Sequence, residues 1–292
     1  MPQRRGASPV SDAGALGRAD TYARGVPYDR FERLRSRTPV VWLDGGGAER
    51  SGAWAVLRYC DVHHALVNPG LFAPQPDGAP HGPASGDAPP PPGDAALIDM
   101  DPPARAMLAR IPSGDTVDFV GEVANDLPET VRNALAGGLY ALLRHPAEYV
   151  RLREEQADDR LLDSAVEEML RWWTPVLQVR RTVQRATTVG GVPLLAGEHV
   201  MLSLISANHD DEVFPDPGRF RPDRFLRAAR PHLCFGYGYR ACLGARLARV
   251  HLRAMLAALL ERPGLPQPAG EPVPLRSSVR RGFAHLPVRW TG

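Results

Sequence analysis

Lysine is absent from this chain of 292 residues: its 35 basic positions are all arginine, set against 33 acidic ones. The formal charge of +2 gives no strong pull towards nucleic acid, so a partner of that kind is not expected. Cysteine is scarce. Cys60, Cys234 and Cys242 are odd in number and scattered, which excludes a disulfide framework and points to a reducing compartment. No apolar run is long enough to span a bilayer, and the first 20 residues carry charges with no apolar stretch behind them. The expectation is a cytoplasmic protein without signal peptide or membrane anchor. What remains is ordinary globular composition, 43% hydrophobic and 23% charged, enough for a full core.

Residues 1–20 are polar and predicted to be a flexible N-terminus; residues 21–292 read as a single domain. Tyr28 to Arg37 reads as a helix. Val40 to Trp42 and Ala53 to Leu57 read as strands around an Asp44-Gly45-Gly46-Gly47 hairpin. Asp61 is the expected N-cap of a helix reaching Leu66. Eight prolines between residues 74 and 93 leave only an open loop. Val117–Leu127 and Glu129–Leu143 are helical by periodicity, with Pro128 as the boundary. Tyr149–Arg153 and Leu161–Trp172 are helical too, whereas Val179–Val189, Gly191–Leu195 and His199–Ser203 alternate like strands. Residues 207–231 are irregular, and Leu243–Leu260 is helical. The fold class is mainly α with small β-sheets (α+β).

Phe235-Gly236-Tyr237-Gly238-Tyr239-Arg240-Ala241-Cys242-Leu243-Gly244 is the stretch that carries chemistry. It reads F-G-x-G-x-R-x-C-x-G, a match expected by chance in only about one chain in 100,000. The glycines let backbone fold tightly around a sulfur. Cys242 stands where a helix begins, and a helix N-terminus favours negative charge, which suits a thiolate. Arg240 offers a planar fork for a carboxylate. The bland alternative is a buried small hydrophobe at Cys242, but that would need neither the glycines nor the arginine. Upstream, Glu168 and Arg171 form E-x-x-R on one helix face, a spacing that by itself also fits a solvated pair.

On these motifs, and on their order with Phe214-Pro215-Asp216-Pro217-Gly218-Arg219-Phe220 between them, the chain resembles the cytochromes P450. The resemblance covers roughly residues 28–72, 97–110 and 129–290. It implies a P450 fold with heme b held by Cys242, whose thiolate donates electron density that favours O–O cleavage. Phe235, Gly236 and Gly244 complete the heme loop. Arg240 and Arg180 would bind heme propionates, with Arg181 the less favoured neighbour of Arg180 and His232 a further contact. Glu168, Arg171 and Arg219 would form a structural network beneath the heme, and Cys234 would pack. Glu129 and Thr130 match the acid–alcohol pair that relays protons. Arg246, Arg249 and Arg253 form a stripe that is either a solvated face or a docking face for an acidic ferredoxin.

The chain departs from the family by being about a hundred residues short, a large deficit for one domain. The losses fall near residues 104–116 and 127–129. After Ile98-Asp99-Met100-Asp101-Pro102-Pro103 the family's H-x-x-x-R has no clear counterpart, and Arg105 or Arg110 could replace it only by a shift. Leu127 and Pro128 stand where Ala-Gly is usual. The resemblance therefore implies a P450 fold lacking part of its distal helices. It also implies a monooxygenase acting on a small apolar substrate, sterol- or steroid-like, fed by a ferredoxin. The alternatives are a poorly coupled or non-catalytic heme-binding remnant and a product that does not fold stably.

Overall fold

The computed structural model describes residues 10–44, 52–74, 101–111 and 114–291. Residues 1–9, most of the Gly-rich hairpin turn and the proline-rich stretch from 75 onward lie outside them. The expectation of a flexible segment through residue 20 does not hold for its second half. Val10–Leu16 forms α1, and Ala19–Ala23 forms α2. Ala13 and Leu16 are buried, because they pack with Phe31 and Leu34 of α3 (Tyr28–Arg37).

One five-stranded sheet carries the N-terminal half. Its order is β1 (Val40–Leu43), β2 (Ala53–Val56), β8 (His199–Ser203), β5 (Gln178–Val183), β3 (Phe72–Ala73). Only the β2–β8 pair is parallel. Between β2 and β3 lies α4 (Tyr59–Val67), which begins two residues before the expected Asp61 cap. The reason is remote: Asp210 Oδ2 accepts the Tyr59 N–H at 2.8 Å. A second sheet joins β4 (Thr116–Asp118), β12 (Pro287–Thr291) and β9 (Leu265–Pro268). Two hairpins, β6 (Thr187–Val189) with β7 (Val192–Leu194) and β10 (Val273–Pro274) with β11 (Phe283–His285), complete the strands.

The helix expected over Val117–Leu127 is not formed. Val117 pairs with Val288 in β4–β12, and a single π-helical turn, Phe119–Val123, follows. Strand pairing with a distant segment overrides the local periodicity.

Three helices form the main core. They are α6 (Glu129–Arg144), α8 (Asp159–Trp173) and α10 (Ala245–Glu261), with α5 (Asp101–Ala109) and α7 (Pro146–Glu154) flanking and the short α9 (Leu204–Asn208) following β8. Pro128 caps α6, as the sequence predicted. A Cβ added at Gly137 would lie 2.0 Å from the Trp173 ring, and one at Gly138 would lie 1.8 Å from Met169 Cε. These two glycines let α6 and α8 approach more closely than any side chain would allow.

Both ends of α8 are pinned. Asp158 accepts the Arg160 and Leu161 N–H groups at its start. At its end Arg281 donates to the carbonyls of Trp172 (3.1 Å) and Trp173 (2.6 Å), with its guanidinium 3.9 Å from the Trp173 ring centroid. A cation at a helix C-terminus satisfies the orphan carbonyls and complements the dipole. This pinning matters because Glu167, Glu168 and Arg171 all ride on α8.

Candidate functional site

The Cys loop enters from Leu233, turns twice and hands over to α10. Gly236 (φ 71°) and Gly238 (φ 72°) are both left-handed, a region open to glycine at little cost. Gly238 is also close-packed, since a Cβ there would lie 3.5 Å from Val67 Cα on α4. The Gly236 N–H donates to Leu233 O (2.9 Å), and the Cys242 N–H donates to Phe235 O (2.8 Å). That second bond closes the loop. Gly244 is the N-cap of α10 and brings no side chain to the first-turn N–H groups. Cys242 is exposed and free.

Two large apolar side chains of this stretch are bare, one of them next to Cys242 in the chain. Leu243 is fully exposed and Tyr239 is 91% exposed. Large apolar groups left bare together mark a surface made to be covered. At its edge stand two guanidiniums. Arg181 on β5 has its pKa lowered, first by burial and then by the like charge of Arg240. Two cations held within range of each other form a seat for an anion. An exposed thiol, bare apolar side chains and a paired-arginine edge fit a flat apolar macrocycle bearing carboxylates. The residues present therefore suit heme.

Arg181 has the like charge of Arg240 nearby and so stands beside the favoured Arg180 as a propionate candidate. The two are consecutive on β5, so their side chains point to opposite faces of the sheet. His232 is buried away from the loop's outer face. Its Nε2 lies 3.1 Å from Glu167 Oε2, and its Nδ1 accepts the Cys234 N–H at 3.2 Å. Cys234 is a packing residue: its thiol donates to Leu170 O at 3.0 Å and accepts from Asn208 Nδ2 at 3.2 Å.

Beneath the loop lies the E-x-x-R network. Glu168 and Arg171 are fully buried and paired twice, Nε to Oε2 at 2.7 Å and Nη2 to Oε1 at 2.8 Å. The third member is a correction. Arg219 is exposed and contributes only its carbonyl. Arg224 instead donates through Nε to both Glu168 oxygens at 3.0 Å, and its Nη atoms reach the carbonyls of Pro215, Asp216 and Arg219. The sequence holds two P-x-R-F registers five residues apart, Pro217–Phe220 and Pro222–Phe225. The second is the one whose arginine enters the core, and that register was the signal available to find it.

Glu129 and Thr130 open α6. Glu129 pairs with Arg280 of the C-terminal segment, and Thr130 is exposed. Among the described residues, neither is hydrogen-bonded or ion-paired to the Cys loop. Arg105 binds Glu261 and Arg110 binds Asp126. In the arginine stripe, Arg249 pairs with Glu167, and Arg253 pairs with Asp159 and Asp163. Two of the three thus clamp α10 to α8, and only Arg246 stands exposed without such a partner among the described residues. No cluster of three or more His, Cys, Asp or Glu able to hold a metal occurs among the described residues. None of their helices is long and apolar enough to cross a membrane.

Comparison with known proteins places these features in a family. The family model described as Cytochrome P450 matches residues 112–278. A steroid C26-monooxygenase of Mycolicibacterium smegmatis is 44% identical over 165 residues, which is 56% of this chain and 40% of that protein. The cytochrome P450 monooxygenase PikC of Streptomyces venezuelae is 42% identical over 166 residues, 56% of this chain and 38% of that protein. This chain thus spans about two fifths of the length of these curated relatives. Among solved structures, cytochrome P450-153 from Novosphingobium aromaticivorans superposes with a TM-score of 0.80 at 28% identity, covering 94% of this chain and 98% of that one.

Proposed function

This chain belongs to the cytochrome P450 family, and on that premise we propose that it is a heme-thiolate monooxygenase. The reaction is RH + O2 + 2 e− + 2 H+ giving ROH + H2O, with electrons delivered from NAD(P)H by a ferredoxin. Heme b, when bound, supplies the iron that activates oxygen. The Cys242 sulfur would be the iron ligand, placed just ahead of α10, whose N-cap Gly244 brings no side chain to the first turn. Arg240 and Arg181 hold the propionates. Phe235, Gly236 and Gly244 shape the loop, and Glu168, Arg171 and Arg224 keep the elements beneath it rigid. Glu129 and Thr130 are the proton relay at the head of α6. The substrate is a small apolar molecule of sterol or steroid type, a reading supported by the name of one relative.

One observation carries the proposal: an exposed cysteine, locked by its N–H to Phe235 O, at the head of α10, with bare apolar side chains in its loop and arginines at its edge. A second reading is a heme-binding remnant with poor coupling. The exposure of Thr130 favours it, as does a length about a hundred residues short of the family's, with the shortfall expected near residues 104–116 and 127–129. An open distal side admits water, which undermines controlled proton delivery.

The test is the spectrum of the purified protein reduced with dithionite under carbon monoxide. A thiolate-type Soret band is expected for the wild type, Cys234→Ser and Cys60→Ser, and its loss for Cys242→Ser. Loss in Cys234→Ser alone would overturn the ligand assignment. Product formed per NADPH on a steroid panel with a surrogate ferredoxin then separates the two readings. Low yield supports the remnant and tight coupling the full enzyme.

A further inference from the structure

Two adjacent glutamates on α8 serve two different networks. Glu168 faces the Arg171–Arg224 core described above. Glu167 is one residue earlier, about 100° around the helix, and faces the Cys loop. It accepts Nη2 of Arg249 at 2.9 Å and Nε of the same guanidinium, so Arg249 is bound bidentately. It also faces His232 Nε2 at 3.1 Å. The Cys234 N–H meets Nδ1 at 3.2 Å, which leaves Nε2 as the ring atom turned towards the Glu167 carboxylate.

Both partners of Glu167 bear on Phe235. The Arg249 guanidinium lies 4.6 Å from the Phe235 ring centroid, and the His232 ring lies 5.8 Å from it. Phe225 closes edge-on against His232 at 6.0 Å. The Phe235 carbonyl then accepts the Cys242 N–H. One carboxylate therefore ties α8, α10 and the segment leading into the loop to the residue that anchors the cysteine.

We propose that Glu167 is a positioning residue: acting through His232 and Arg249, it fixes Phe235 and so the direction in which the Cys242 sulfur points. The proposal rests on the heme-thiolate reading. Glu167 touches no reacting atom. Its effect is on how long the sulfur stays in place as a ligand.

The experiment uses the full chain purified with heme. The rate at which the reduced carbon monoxide complex exchanges its thiolate-type band for a neutral-thiol band is measured in wild type, Glu167→Gln, His232→Phe, His232→Gln and the Glu167→Gln/His232→Phe double variant. The single variants Glu167→Gln and His232→Phe should exchange about tenfold faster, a change equal to about 1.4 kcal/mol. His232→Gln, which can keep a donor towards Glu167, should stay within about threefold of wild type. The double variant should be no faster than the faster single one, because both cut the same link. If Glu167→Gln does not retain heme, the Phe and Gln variants at position 232 decide the matter alone. A lowered melting temperature with an unchanged exchange rate, equal rates for Phe and Gln at 232, or additive effects would each overturn the proposal. A wild type without any thiolate-type band would refute the heme-thiolate reading itself, an outcome distinct from all of these.

Discussion

Replacing Arg224 with methionine removes the one cation that, among the described residues, reaches Glu168 from outside α8. Glu168 keeps Arg171 and the Arg221 N–H (3.0 Å), so its charge is not left bare. The carbonyls of Pro215, Asp216 and Arg219 lose their donor. With Glu168 still partnered, the loss is that of hydrogen bonds to a charged group, about 1.5–3 kcal/mol, against a total stability of about 5–15 kcal/mol. For a chain of this size that corresponds to a fall of roughly 2–5 °C in melting temperature. Arg219→Met serves as the control. That side chain is exposed, and its loss should cost no more than about 0.5 kcal/mol. Urea unfolding followed by circular dichroism reads both. Arg224→Met is also expected to purify with less heme, since the meander beneath the loop loosens. Equal losses for the two variants, or an unchanged midpoint for Arg224→Met, would refute the assignment of Arg224 as the third member.

Burial opposes the charge of Glu167, but His232 and Arg249 outweigh it and hold its pKa at about 2, against 4.5 in the unfolded chain. The unfolded chain binds this proton more readily, so the contribution, at most about 3 kcal/mol, is complete above pH about 4.5 and is lost as pH falls towards 2. Glu167→Gln should flatten that acid limb of the stability curve, and an unchanged limb would count against the ion pairing. Arg181→Ala should weaken heme retention on a gel-filtration column more than Arg180→Ala, and the reverse order would return the propionate role to Arg180. Gly137→Ala should lower stability by about 1–3 kcal/mol in the same urea assay, because its Cβ would collide with the rigid Trp173 ring. A neutral result there would mean that α6 and α8 can separate freely.

Features that depend on a few consecutive residues were legible in the sequence. The Cys loop is ten contiguous positions whose glycines, arginine and cysteine are each needed locally, and the helix after it starts by its own periodicity. Glu168 and Arg171 share a face because helical geometry puts them there, and Pro128 caps α6 because it cannot sit further inside. Choices between near-equivalent local options were left to tertiary structure. Arg180 and Arg181 alternate on a strand, and which face of the sheet each one takes is set by the pairing of β5 with β8. Arg219 and Arg224 occupy repeated registers in a coil without periodicity, and only the packing of that coil on α8 selects Arg224. His232 lies near the cysteine in sequence, yet burial and Glu167 turn it the other way. Phe119–Val123 has helical spacing, but strand pairing by Val117 comes first. Tyr59 opens α4 because Asp210, 151 residues away, supplies the cap. A local pattern specifies what a segment can do, and the partner that buries it, supplied by the rest of the chain, determines which option is taken.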